Sequence, residues 1–85
     1  MPLFLDSHIL PEGVVVTPEE AAAGHAKDLA VQDKHGVRYI KFWYDAARGR
    51  LFCLVMAPNA EAAIAVHEEA HGMRPDDIFE VQEFE

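Results

Sequence analysis

Two runs near the middle of the chain, VRYIKFWYD and RLFCLVMA, are joined by AARG across residues 37–57. Their β-branched and aromatic residues and the short Gly-containing connection predict a hairpin. Side chains in a strand alternate between the two faces, and these runs carry apolar groups in both directions, so the hairpin needs cover on both sides. With 85 residues, 51% of them apolar, the chain is long enough for one small domain, residues 1–85, and too short for a multi-lobed enzyme.

The remaining segments supply that cover. Residues 3–8, LFLDSH, read as a strand, set off by Pro11, Gly13 and Pro18. Thr17 followed by Pro18, Glu19 and Glu20 starts a helix with a capping hydroxyl, a first-turn proline and an acid three residues on, and the helix is expected to run to about His35 and stop at Gly36. Pro58 and Asn59 open a second helix, AEAAIAVHEEAH, which closes at Gly72. Residues 78–84, IFEVQEF, read as a final edge strand. The order β-α-β-β-α-β predicts an α+β, ferredoxin-like βαββαβ sandwich. Two helices cover one face of a four-stranded sheet. A second copy of the chain is the expected cover for the other, giving a homodimer of the dimeric α+β barrel kind.

Fifteen acidic against seven basic residues give a formal charge of −8, and no basic cluster stands out. Nucleic acid and anionic membrane surfaces are therefore poor partners, whereas cations are favoured. Cys53, the one cysteine, allows no internal disulfide and reads as a buried, inert thiol. The first basic residue is Lys27 and no apolar run reaches membrane-spanning length, so a cytoplasmic location is expected.

Chemistry centres on the histidines. VHEEAHGM holds H-E-x-x-H across His67, Glu68 and His71, a zinc-peptidase pattern. A peptidase also needs a third ligand and a peptide-binding cleft on a far larger scaffold, and Gly72 ends this helix at once. What survives is the spacing: His67 and His71 lie one turn apart, beside the apolar stripe of Ala60, Ala63, Ile64 and Ala70, and can grip one divalent ion. The plainer reading is a pair satisfying each other at a helix C-terminus. Asp6 and His8 share a strand face, and His25 and Asp28 lie three apart on the first helix, where His25 could come level with the end of the first strand. Which sheet face Asp6 and His8 occupy is left open, because both faces are apolar elsewhere. Glu61, Glu68 and Glu69 are candidate carboxylate partners of the imidazoles, and His35 a possible extra ligand.

Taken together and in order, PLFLDSH, HAKDLAVQ, GVRYIKFWYD, LFCLVMAP, VHEEAHG and DDIFEV resemble a family of small bacterial nickel-binding proteins with a ferredoxin-like fold, long filed as a domain of unknown function. The resemblance spans nearly the whole chain. It implies a homodimer that binds nickel at the dimer surface, with a role in sequestration or tolerance and no known reaction. Its polar positions here are Asp6, His8, His25, Asp28, Gln32, His67, Glu69 and His71; His35 stands where relatives are expected to carry an aromatic, and Met56 where an acid is common. The expected ligands are His67, His71, His25, His8 and Asp6, with nickel named by resemblance and zinc or copper equally suited to these donors. The rival expectation is a dimeric α+β barrel enzyme, isomerase or monooxygenase-like, holding a small organic molecule among Tyr39, Trp43 and Tyr44, with His25 or His8 as acid or base.

Overall fold

A computed structural model describes all residues, Met1–Glu85. Strand β1 (Leu3–Ile9) leads to helix α1 (Pro18–Val31), which tightens into a 3-10 turn at Gln32–His35; strands β2 (Arg38–Asp45) and β3 (Arg50–Met56), helix α2 (Ala60–Ala70) and strand β4 (Asp77–Val81) follow. The sheet runs β2-β3-β1-β4 with every neighbouring pair antiparallel, and this is the expected ferredoxin-like α+β fold. No helix is long and apolar enough to cross a membrane.

Local chemistry accounts for the helix boundaries. The Thr17 hydroxyl accepts from the Glu20 backbone N–H at 3.1 Å while the Glu20 carboxylate accepts from the Thr17 N–H at 3.0 Å, a reciprocal cap. Asn59 Oδ1 accepts from the Ala62 N–H at 2.8 Å to start α2. Gly36 closes the first helical segment at φ 68°, a left-handed conformation that a side chain would strain.

Strand parity decides what each helix covers. Phe4, Asp6 and His8 of β1 sit opposite Val55, Cys53 and Leu51 of β3 and face the helices, while Leu5 and Ser7 pair with Leu54 and Phe52 on the open side. Between Tyr39 and Lys41 the β2 register slips by one residue. This bulge inserts Ile40, so Tyr39 and Phe42 both face the helices and Trp43 faces outward. The two-sidedness of VRYIKFWYD is thus partly a change of phase. Phe4, Val37, Tyr39, Cys53, Val55, Ala57, Ala63 and Val66 form the core under the helices. On the open side Ile9, Trp43 and Phe79 remain 49%, 46% and 50% exposed.

One element is shorter than its sequence suggests. The expected strand over residues 78–84 ends at Val81, which pairs with Leu3, the first residue of β1; Pro2 before it has no N–H to donate, and its carbonyl accepts from Ala57. Phe84, 83% exposed, lies outside the sheet.

Candidate metal centre

The layer between sheet and helices holds side chains that water normally keeps. Asp6, His8, Asp28 and His67 are the buried polar residues of the chain, and His67 is only 1% exposed. Burying such groups is costly unless they pair with one another. They do so as a chain of contacts linking β1, α2 and α1. His67 lies between two carboxylates, its Nε2 2.9 Å from Asp6 Oδ2 and its Nδ1 2.8 Å from Asp28 Oδ1. His8 Nε2 approaches Asp6 Oδ1 at 3.2 Å, and His71 Nε2 approaches Asp28 Oδ1 at 3.1 Å.

Each position follows from local structure. Ala63 and His67 are four apart on α2 and share its inner face, where Ala63 and Val66 are fully buried and the small Ala63 lets the helix lie close to the sheet. The Tyr39 hydroxyl donates to the Ala63 carbonyl at 2.9 Å and lies 3.4 Å from Asp6 Oδ2, holding helix and strand together at the site. On α1 the one fully buried side chain is Asp28, so this helix docks through a carboxylate as well as through its small residues.

Electrostatics follow from the pairing. Burial alone would lower the His67 pKa, but the hydrogen bonds to Asp28 and Asp6 outweigh it and push it up to about 11. The ring is therefore an imidazolium at neutral pH and donates from both nitrogens. Burial pulls the Asp6 carboxyl upward, yet its pairing with His67 and His8 brings it down to about 2, and Asp28 is lowered for the same reason by His67 and His71. Two carboxylates thus share one bridging imidazolium in a dry place. Tyr39, raised by burial and by the Asp6 and Asp28 charges, stays a neutral donor. Burial also pushes the Cys53 thiol up to about 11, so in the metal-free protein it is protonated.

Two groups of donor atoms emerge, each within 4.8 Å of one another: Asp6, His8, Cys53 and His67, and Asp28, His67 and His71. Ligands around one transition ion at about 2.0–2.3 Å lie about this far apart at most. The hydrogen bonding supports the fit. Asp6 Oδ1, close to His8 Nε2 but outside hydrogen-bond geometry, and His8 Nδ1 are both buried without a hydrogen-bond partner. A cavity of about 360 Å³ borders the cluster, lined by His8, His67, His71 and Cys53 on one side and by His25, Phe42 and Met73 on others.

Of the five expected site residues, Asp6, His8, His67 and His71 come together through these contacts. His25 does not join them: its ring lies 5.0 Å from that of Phe42, it lines the same cavity, and its Nδ1 is buried without a partner. Asp28, paired with His25 in sequence, instead serves His67 and His71. The expected carboxylate partners Glu68 and Glu69 are engaged elsewhere, with Arg74 and with Lys34 and His35 respectively. Helix geometry explains this, because residues next to an inward His67 point sideways and outward. The aromatic trio of the rival reading is also dispersed. Tyr39 is tied to Ala63, Trp43 faces the open side and the Tyr44 hydroxyl donates to the Val16 carbonyl; none of them lines the cavity.

Comparison with known proteins agrees with this architecture. No curated protein matches the chain. The crystal structure of SCO4226 from Streptomyces coelicolor A3(2) superposes with a TM-score of 0.86 at 36% identity, over 98% of this chain and 99% of that one. A family model described as "Nickel responsive protein SCO4226-like" matches residues 4–81. The chain belongs to the SCO4226-like family of nickel responsive proteins.

Proposed function

We propose that this protein binds a divalent transition metal, nickel foremost, at the buried cluster, in a sequestering or tolerance role without catalysis. The observation that carries the proposal is the setting of His67. Its ring bridges two carboxylates, and Asp6 Oδ1 and His8 Nδ1 are buried without hydrogen-bond partners. A dication in place of the Nε2 proton would be held against the Asp6 carboxylate. Asp6, His8 and His67 would then hold the ion, and Asp28, accepting from Nδ1–H, would keep the ring turned toward it. His71, which meets the same Asp28 Oδ1 as His67, belongs to the second donor group, and His25 lines the cavity beside it. Imidazole and carboxylate suit nickel, zinc and copper alike, so nickel rests on the family's description.

The same proposal includes a homodimer joined through the open side of the sheet, supported by the exposed Ile9, Trp43 and Phe79. Native mass spectrometry and calorimetry with nickel test the metal site. Wild type takes up the ion, and Asp6→Asn and His8→Gln each weaken binding by about tenfold or more; unchanged affinity in both would sink the assignment. A second reading, a small organic ligand, is favoured by the cavity and by the unpartnered His25 Nδ1. Thermal-shift screening of the metal-free protein with small aromatic and lactone compounds checks it.

A further inference from the structure

We infer that Cys53 Sγ is a thiolate ligand of the bound ion, selecting late, thiophilic metals over magnesium, calcium and manganese. The inference rests on the metal-binding reading above and adds a donor to it. Four observations support it. Cys53 lies directly opposite Asp6 in the β1–β3 pair, on the helix-facing side. It offers a donor atom within 4.8 Å of those of Asp6, His8 and His67. Asp6 Oδ1 and His8 Nδ1, both fully buried, have no hydrogen-bond partner in that group. Cys53 also borders the cavity, so an ion arriving there reaches the thiol although the residue is buried.

A cysteine kept only for packing would meet carbon on every side. Cys53 does pack against the core, but it also meets the acidic and imidazole groups of the cluster. The exchange balances: when the dication enters, the His67 Nε2 proton and the Sγ proton both pass to solvent, and metal–nitrogen and metal–sulfur bonds form in their place. A soft sulfur donor beside imidazole suits nickel, zinc and copper and is poorly matched to cations that prefer oxygen.

Spectroscopy of the full chain loaded with one equivalent of nickel tests the thiolate directly. A near-ultraviolet thiolate-to-nickel charge-transfer band and a sulfur scatterer at the nickel K-edge are expected. Cys53→Ser removes both, lowers nickel affinity by about tenfold or more and narrows the preference for nickel over manganese; loss of the band also rules out the Met73 thioether on the cavity wall as its source. Wild type that binds nickel with only nitrogen and oxygen around it, and no band, overturns the thiolate while leaving the histidine–carboxylate site standing. Wild type that binds no nickel overturns the metal-binding reading itself. If the serine variant fails to fold, the wild-type spectra alone still distinguish these outcomes.

Discussion

The two faces of this sheet depart from the usual distribution of polarity in opposite ways. Beneath the helices, where apolar packing is the norm, lie Asp6, His8 and, from above, His67 and Asp28, all buried. On the uncovered side, Ile9, Trp43 and Phe79 remain about half exposed. A small domain has little stability to spare, and both departures cost some of it. Under the function proposed above, each marks a surface kept for something other than folding: the covered face for an ion, the open face for a partner.

The largest effect that can break this contrast comes from His67→Ala. It takes the shared donor from two buried carboxylates, leaving Asp6 with His8 and Asp28 with His71, and removing one partner of a buried pair costs about 3–5 kcal/mol. Denaturant unfolding of the metal-free variant is expected to show a loss of that size together with no nickel uptake. A loss as small as that of a surface substitution would mean the cluster is wet and ordinary. Asp28→Asn is gentler, because the amide oxygen still accepts from His67 Nδ1. A loss of about 1–3 kcal/mol is expected, with nickel affinity lowered about 10–100-fold as the ring loses its anionic support. Full retention of affinity would show that Asp28 serves α1 docking alone.

The pH dependence of the metal-free protein tests the same charges more mildly. His67 rises from 6.5 to about 11 in the folded state, so its contribution is complete below pH 6.5 and disappears as pH climbs through about 11. Asp6 falls from 3.8 to about 2, so its contribution is present above pH 3.8 and disappears as pH drops through about 2. Both hold in full from pH 3.8 to 6.5. The Asp6 and His67 contributions predict a plateau there and decline on either side, with the alkaline limb absent in His67→Ala. An alkaline limb persisting in that variant would assign it to other groups.

What the sequence disclosed follows the range of the interactions. Thr17, Asn59 and Gly36 act within a few residues, and the segments they delimit were readable in order, as was the ferredoxin-like fold. His67 and His71 were readable as a pair because helical spacing is local. The face taken by Asp6 and His8 was not, since a strand's parity depends on what packs over it, and the bulge at Ile40 shifts the phase of β2 without any glycine or proline to announce it. Asp28 and His67 are 39 residues apart, and no pattern along the chain joins them. Cys53 looked inert for a sound reason, its apolar neighbours in sequence, while its neighbours in space include Asp6 across the strand pair. The end of β4 is set by the start of β1, a partner at the opposite end of the chain.

The smallest effect on the fold belongs to the open face, and it sharpens the contrast most. Trp43 projects from β2 with Lys41 Nζ 5.8 Å from its ring, a contact worth about 0.5–1 kcal/mol at an exposed site. Trp43→Glu should cost the individual chain little more than that. At an interface between two copies the same change places like charges against each other across a two-fold axis, on a chain already carrying a net charge of −8. Sedimentation is therefore expected to find a dimer for wild type and a monomer for Trp43→Glu, with nickel bound per chain unaltered because the ligands lie on the other side of the sheet. The converse holds for Asp6→Asn, which should lose nickel and keep its mass. A variant on either face that altered both assembly and metal uptake would show that the two surfaces are one site, and the division of labour between them would fail.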